Sequence, residues 1–173
     1  MKKILKYSGI AVFSLVIVFF SMGFLFPSFE YENSVIVNKP AEQSFKVFTD
    51  VLKLSEWIPG FKRVKLLSGK QNETGSIIEM MLEQEGKTFI LTQKITNYKE
   101  NELFAFALDN DVLSNNCEIK FISKGTSTEI ISSNHITGKN IFWKSLFVFS
   151  HSYFKKQSKE MYENLKKVIE ESN

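Results

Sequence analysis

An α+β fold is what the sequence predicts for residues 30–173: a curved antiparallel sheet of about seven strands, two short helices after the first strand, and a long C-terminal helix. Three observations predict it. Runs of alternating apolar and polar residues are separated only by turn residues, too closely for the crossovers that parallel pairing needs. From Phe142 the apolar period lengthens to that of a helix. Ahead of both, Tyr7 to Phe29 runs for 23 residues without a charge, enough at about 1.5 Å per residue to cross a hydrocarbon core of roughly 30 Å. Residues 1–29 therefore read as an N-terminal tip and one transmembrane helix.

Tyr31 to Asn38 reads as the first strand, because Val35, Ile36 and Val37 are β-branched and Lys39-Pro40 closes the run. Pro40 suits a first helical position, and Glu42 complements the positive end of the helix dipole. Ala41, Phe45, Phe48 and Leu52 then recur along one face, which must be buried. Leu54 to Ile58 makes a second short helical turn, ended by Pro59-Gly60. Phe61 to Leu67 and Ser76 to Gln84 follow as strands before Ser68-Gly69 and Glu85-Gly86. Lys87 to Tyr98, Glu102 to Leu108, Leu113 to Ser123 and Thr126 to Ile136 complete the meander. Phe142, Leu146, Phe149 and Tyr153, then Met161, Leu165 and Val168, form the apolar stripe of one long helix.

Charge narrows the functional classes. Three of the 22 basic residues, Lys2, Lys3 and Lys6, precede the first acidic residue, Glu30, which leaves 19 basic against 19 acidic in residues 30–173. A neutral body lacks the footprint of a nucleic-acid binder, whose affinity comes from neutralising phosphates. The lysines before the span and Glu30 and Glu32 after it place the amino terminus in the cytoplasm and the domain outside, although Lys39 and Lys46 dilute the asymmetry. A cleavable signal peptide is the rival. Its apolar stretch would be shorter, and Ser21-Met22-Gly23-Phe24-Leu25-Phe26 makes a poor cleavage site. Cys117 is alone, so an intrachain disulfide, a CxxC pair and a cysteine-rich zinc site are all excluded.

One stretch has a familiar pattern. Val35-Ile36-Val37-Asn38-Lys39-Pro40-Ala41-Glu42-Gln43-Ser44-Phe45-Lys46-Val47-Phe48-Thr49-Asp50, followed by Trp57-Ile58-Pro59-Gly60-Phe61-Lys62-Arg63-Val64 and Gly75, resembles the START-like helix-grip superfamily, whose bacterial members are the SRPBCC or polyketide cyclase/dehydrase-like proteins. The resemblance runs from about Tyr31 to Glu171. It implies a curved sheet gripping the C-terminal helix over an apolar cavity that takes a lipid, sterol, polyketide or other hydrophobic molecule. Only some members are enzymes, and the matching motifs carry no catalytic group.

Strand parity says which side chains would line such a cavity. Ile78, Met80 and Leu82 oppose Glu79 and Glu83, and so face inward. Phe89, Leu91 and Ile95 oppose Thr92, Lys94 and Thr96, while Cys117, Ile119 and Phe121 oppose Glu118 and Lys120. Phe104, Phe106 and Leu108 add a set that competes with Leu103, Ala105 and Ala107. With Trp57 from the short helix and Phe149 and Tyr153 from the long one, these are the candidate ligand-binding residues. Phe and Met equally fill a solid core, so parity alone leaves both readings open.

Chemistry finds few footholds. His135 shares the parity of Glu129, Ile131 and Ser133 and points to solvent, while His151 flanks the helical stripe. The two are far apart with no His-x-x-x-His or His-x-x-x-Glu pattern, so neither a metal nor a cofactor is expected. Asp109 and Asp111 suit a turn. Asn72-Glu73-Thr74 is a formal glycosylation sequon, a weak signal at three residues. The helical stripe breaks at Lys156, Gln157 and Glu160, which a drift of the stripe explains more cheaply than a polar group in the cavity. Phe142 to Phe149 is apolar on more than one face and needs a second cover, from an oligomer partner, the cavity mouth or the membrane interface. The expected function is a membrane-anchored binding module for a hydrophobic small molecule or lipid. The alternatives are a small cyclase- or hydratase-type enzyme using His151, Tyr153 or Asp109, and a ligand-free interaction module.

Overall fold

β-branched and aromatic residues at alternate positions build seven strands, and the turn residues between them leave no room for anything but antiparallel pairing. The structure, a computed structural model, describes residues 2–84 and 86–172. Helix α1 (Lys2–Leu25) precedes β1 (Ser28–Val37), and α2 (Ala41–Thr49), a 3-10 turn (Val51–Lys53) and α3 (Leu54–Trp57) follow. Strands β2 (Phe61–Ser68), β3 (Ile77–Gln84), β4 (Lys87–Lys99), β5 (Leu103–Asp109), β6 (Leu113–Ser123) and β7 (Thr128–Gly138) lead to α4 (Ile141–Val148) and α5 (His151–Glu171). The strands form one sheet in the order β1-β7-β6-β5-β4-β3-β2. The first strand thus closes against the last, and β2 is the far edge.

Register defines two ends of this sheet. Ser28, Thr137, Ser114, Asp109, Thr92 and Glu79 lie in one row across β1, β7, β6, β5, β4 and β3. Beyond that row, on the side where α1 enters, β6 and β7 add one more pair, Leu113 and Gly138, and only β2, β3 and β4 continue further. Their hairpin overhangs by about 17 Å at about 3.4 Å per residue. The loop of β5 and β6 turns back at the same end, held by the Asn110 side chain, which accepts from the backbone N–H groups of Val112 and Leu113 (both 2.8 Å).

The core sits at the opposite end, under α2 and the C-terminal half of α5. Phe45 and Phe48 reach from α2 to Phe121, with ring centroids 5.0 and 5.4 Å apart. Phe48 also stacks towards Trp57 and meets Phe104 edge-on. Leu165 and Ile169 of α5 enter this cluster and are fully buried. Polar ties fix the helix end. Glu170 Oε1 accepts from the Asn38 backbone N–H and from Asn38 Nδ2 (2.9 Å each), and Lys39 Nζ donates to the Ser172 carbonyl (2.8 Å).

Two boundaries differ from the sequence reading. The first strand begins at Ser28 rather than Tyr31, so the apolar helix ends at Leu25 and only Phe26 and Pro27 separate it from the sheet. Phe29, expected at the end of the span, is a strand residue whose ring meets those of Phe147 and Phe154 at 6.4 and 5.5 Å. The long C-terminal helix is also two helices. The backbone N–H groups of Phe149 and Ser150 bond three residues back, to Leu146 and Phe147, and this tight turn separates α4 from α5. The break lets α4 lie against α1 while α5 crosses the sheet. α1 and α4 approach closely at Gly23, where a Cβ would stand 2.3 Å from Ser145 Oγ, and Phe19 and Phe142 meet with ring centroids 6.1 Å apart. α1 therefore supplies part of the cover that the Phe142 to Phe149 segment requires, while Phe142, Leu146 and Phe149 remain exposed.

Two expected outcomes test this arrangement. Leu165→Ala should lower unfolding free energy by about 2–5 kcal/mol in urea titrations, because a fully buried leucine leaves a cavity behind. Gly23→Leu should separate the two helices: with Phe19→Cys and Phe142→Cys installed, a short bis-maleimide joins α1 to α4 only while Gly23 is present.

Candidate ligand cavity

Between the sheet and the first half of α5 lies a cavity of about 640 Å³, within the range of small-molecule sites. Its position follows from the packing. Leu165 and Ile169 press α5 onto the core at one end, and towards its N-terminal end the helix presents Phe154, Ser158, Met161 and Tyr162 to an open interior. β2 to β5 supply the apolar wall through Val64, Leu66, Ile78, Met80, Leu82, Leu91, Phe104, Phe106 and Leu108. α3 adds Trp57 at the rim of the core.

The opposite wall is polar. On β6, β7 and β1 the inward positions carry Asn115, Cys117, Ser132, Asn134 and Tyr31, small or hydrogen-bonding groups that let α5 come close. They form a chain: Asn115 Nδ2 donates to Asn134 Oδ1 (2.9 Å), Asn134 Nδ2 donates to Ser132 Oγ (2.9 Å), and Cys117 Sγ lies 3.8 Å from Ser132 Oγ. Ser158 on α5 is the hydrogen-bonding neighbour of the Tyr31 hydroxyl. Burial pushes the Tyr31 phenol up to about 12, against a weaker opposing pull from Ser158. Burial likewise raises the Cys117 thiol to about 12 and the Tyr162 phenol well above its ordinary range. At neutral pH all three keep their protons, so they can donate hydrogen bonds and cannot serve as a ready nucleophile or base.

Of the twelve candidate residues, Trp57, Ile78, Met80, Leu82, Leu91, Phe104, Phe106 and Ile119 line the cavity. Four do not. Phe121 lies deeper, locked between Phe45 and Phe48 in the solid core. Phe89 has the inward parity but sits on the overhanging hairpin opposite Leu82, half exposed and outside the lining. Phe149 falls in the turn between α4 and α5, and Tyr153 faces solvent, where its hydroxyl accepts from Gln157 Nε2 at 2.5 Å. The break in the helix shifts the buried face, so Phe154 and Ser158 take the places expected of Phe149 and Tyr153. Gln157 and Glu160, attributed above to a drifting stripe, stand at the cavity wall.

The polar wall escaped the sequence reading, although parity signalled it. Asn134 and Ser132 share their face with Ile130 and Ile136, and Gln93 shares its face with Leu91 and Ile95. The proposed acid–base residues do not converge. His151 Nε2 pairs with the Glu30 carbonyl oxygen at 3.0 Å, Asp109 forms an ion pair with Lys139, and His135 meets Glu30 on the outer face. Among the described residues no cluster of His, Cys, Asp or Glu is placed to hold a metal ion.

Comparison with known proteins divides by method. No family model matches the sequence, and no curated protein matches it significantly. Solved structures match throughout the domain. A START superfamily protein from Mycobacterium smegmatis superposes with a TM-score of 0.62 at 19% identity, covering 82% of this chain and 94% of its own. A protein of unknown function from Staphylococcus aureus gives 0.68 at 15% identity, over 83% and 94%. The Zhui aromatase/cyclase from a Streptomyces species gives 0.61 at 13%, over 82% and 96%. The fold is START-like. In START-like terms, β1 to β7 are the gripping sheet and α5 is the gripped helix. In each case about four-fifths of this chain covers 94–96% of the neighbour.

The raised thiol and phenols set a direction for pH. In the unfolded chain Cys117 ionises from about 9.0 and Tyr31 from about 10.0, whereas in the folded START-like domain both hold their protons to about 12. The unfolded state therefore sheds protons first, and stability should fall as pH rises through 9 towards 12. Urea midpoints across that interval measure it. Iodoacetamide at pH 8 should leave Cys117 unmodified in the folded protein and alkylate it rapidly in 8 M urea.

Proposed function

We infer that the chain is a membrane-anchored binding module for a hydrophobic small molecule or lipid, held between the sheet and α5. The observation that carries this reading is the cavity of about 640 Å³ with one continuous apolar wall. A solid-core module would have filled that space with side chains, because interiors pack to crystal density. Residues 1–29 serve as the tip and anchor and residues 30–173 as the binding domain, with the two residues of β1 before Glu30 already inside the fold. α1 from Lys6 to Leu25 is long and apolar enough to cross a membrane and is almost wholly uncovered by the domain. By the positive-inside bias, its amino terminus lies in the cytoplasm and the domain outside.

Geometry supports supply of the ligand from the bilayer. A two-residue linker holds the entry end of the sheet near the membrane. The overhanging β3–β4 hairpin projects from that same end and exposes Phe89 and Ile90, while Leu82, Gln84 and Leu91 along it line the cavity. An apolar ligand passing from lipid to pocket along this hairpin stays out of water. A cyclase- or hydratase-type enzyme is the other reading, favoured by the aromatase/cyclase neighbours. It would have to run on protonated Tyr and Cys groups and on Glu160 at the solvent side, because His151, Tyr153 and Asp109 lie away from the cavity.

The test is native mass spectrometry, followed by lipid extraction, on the full chain taken from its own membrane in mild detergent. A stoichiometric apolar adduct is expected. A clean ligand-free mass, together with no saturable uptake of the uncharged dye Nile red, would sink the reading. Ile78→Trp, which fills the apolar wall, should reduce Nile red uptake about ten-fold or more while leaving the circular dichroism spectrum unchanged.

A further inference from the structure

Resting on the binding reading above, one side chain narrows the chemistry of the ligand. Gln93 lies at the middle of β4, on the inward face between Leu91 and Ile95, and is 94% removed from solvent. Its neighbours in register are Ile78 on β3 and Leu108 on β5, so an amide stands in the centre of the apolar wall. Among the described residues no side-chain hydrogen bond engages that amide, which is open to the cavity rather than sealed in the packing. Several other polar groups buried on the inner side are answered by the protein. Asn134 both accepts and donates, Ser76 Oγ donates to the Lys70 carbonyl, and Asn33 Nδ2 donates to the Lys155 carbonyl. Two further unpaired atoms, Trp57 Nε1 and Asn115 Oδ1, are closed off on every side, whereas Gln93 borders the open cavity.

Charge supplies the second constraint. Among the described residues lining the cavity there is no Lys, Arg, His or Asp, and the one ionisable carboxylate is Glu160, which lies towards solvent with Lys156 beside it. A carboxylate or phosphate brought inside would lose its hydration and meet no cation. A hydrocarbon without any polar atom would seal the Gln93 amide away unpaired, a cost that buried amides almost never bear.

We propose that the cavity selects an uncharged, largely apolar molecule carrying a hydroxyl or carbonyl oxygen, and that Gln93 hydrogen-bonds that oxygen as the specificity-determining residue. The amide suits the task because it donates to a carbonyl and both donates to and accepts from a hydroxyl, without a charge to desolvate. Asn115 lies in the same row two strands away, about 10 Å at the spacing of neighbouring strands, so the Gln93 contact is separate from the polar wall. Anionic fatty acids and phosphate-bearing heads are rejected by the same arrangement.

The experiment uses the full chain in mild detergent with an equimolar mixture of pyrene, 1-pyrenemethanol and 1-pyrenecarboxylate, and counts adducts by native mass spectrometry. Parent and Gln93→Met are compared, the methionine keeping length and volume without the amide. Partition of the probes into micelles is common to both proteins, so the change in adduct ratio belongs to the side chain. The parent is expected to prefer the alcohol, with the carboxylate weakest. In Gln93→Met the alcohol-to-pyrene ratio should fall on the order of ten-fold. Gln93→Asn, which withdraws the amide by one methylene, should move the ratio the same way and stands in if the methionine variant does not fold. An unchanged ratio overturns the role of Gln93, and a carboxylate preference overturns the selection against charge, in both cases with the binding module intact. Failure of all three probes to bind the parent would instead remove the binding reading itself.

Discussion

The seating of α5 at its C-terminal end is the contact on which the rest of the domain depends. Leu165 and Ile169 are fully buried among Phe45, Phe48 and Phe121, and Glu170 and Ser172 tie the same end to Asn38 and Lys39. A straight helix fixed at one end over a curved sheet cannot follow the curve, so space opens towards the other end. That is where Phe154, Ser158 and Met161 look into the cavity rather than into packed neighbours. The pocket is therefore a consequence of where the helix is held and of which residues are small. Thr128, Ser132 and Asn134 on β7 let α5 approach the closed side, while Phe104, Phe106, Met80 and Leu82 keep the open side wide.

A second constraint acts at the entry end. With only Phe26 and Pro27 between α1 and β1, α1 has little freedom to swing, and the close approach of Gly23 to Ser145 removes more of it. α4 is the element that adapts. It departs from α5 through the tight turn at Phe149 and Ser150, turning one face to α1 and placing Phe147 against Phe29 and Phe154. An apolar segment that looks over-supplied with Phe and Trp for a surface helix is thus shared between a helix neighbour and the domain beneath it.

The strand order and the inward parity of β3, β4 and β6 were legible because alternation is a local signal, set by the pleat of a single strand. Phe121 and Phe89 show the limit of that signal. Both have the inward parity of true lining residues, yet one lies under α2 in the solid core and the other on a hairpin that outruns its neighbours. Parity gives a face; position along the strand relative to α2 and α5 is a tertiary fact. Phe149 and Tyr153 were misplaced for a different reason. The helical period was read straight through a turn that carries no Gly or Pro to mark it, and the rotation it introduces moves the buried face to Phe154 and Ser158.

The polar residues of the inner face divide into two kinds, and the division bears on function. Asn134, Ser132, Cys117 and the Nδ2 group of Asn115 answer one another, so their polarity serves the packing of β6 and β7 under α5. Gln93 stands apart from that network with Ile78 on one side and Leu108 on the other, where a leucine would have cost the sheet nothing. Structural need accounts for the first group and not for the second. A buried amide that the fold neither requires nor satisfies points to a partner outside the fold, and the apolar surroundings of that amide say what the remainder of the partner must be.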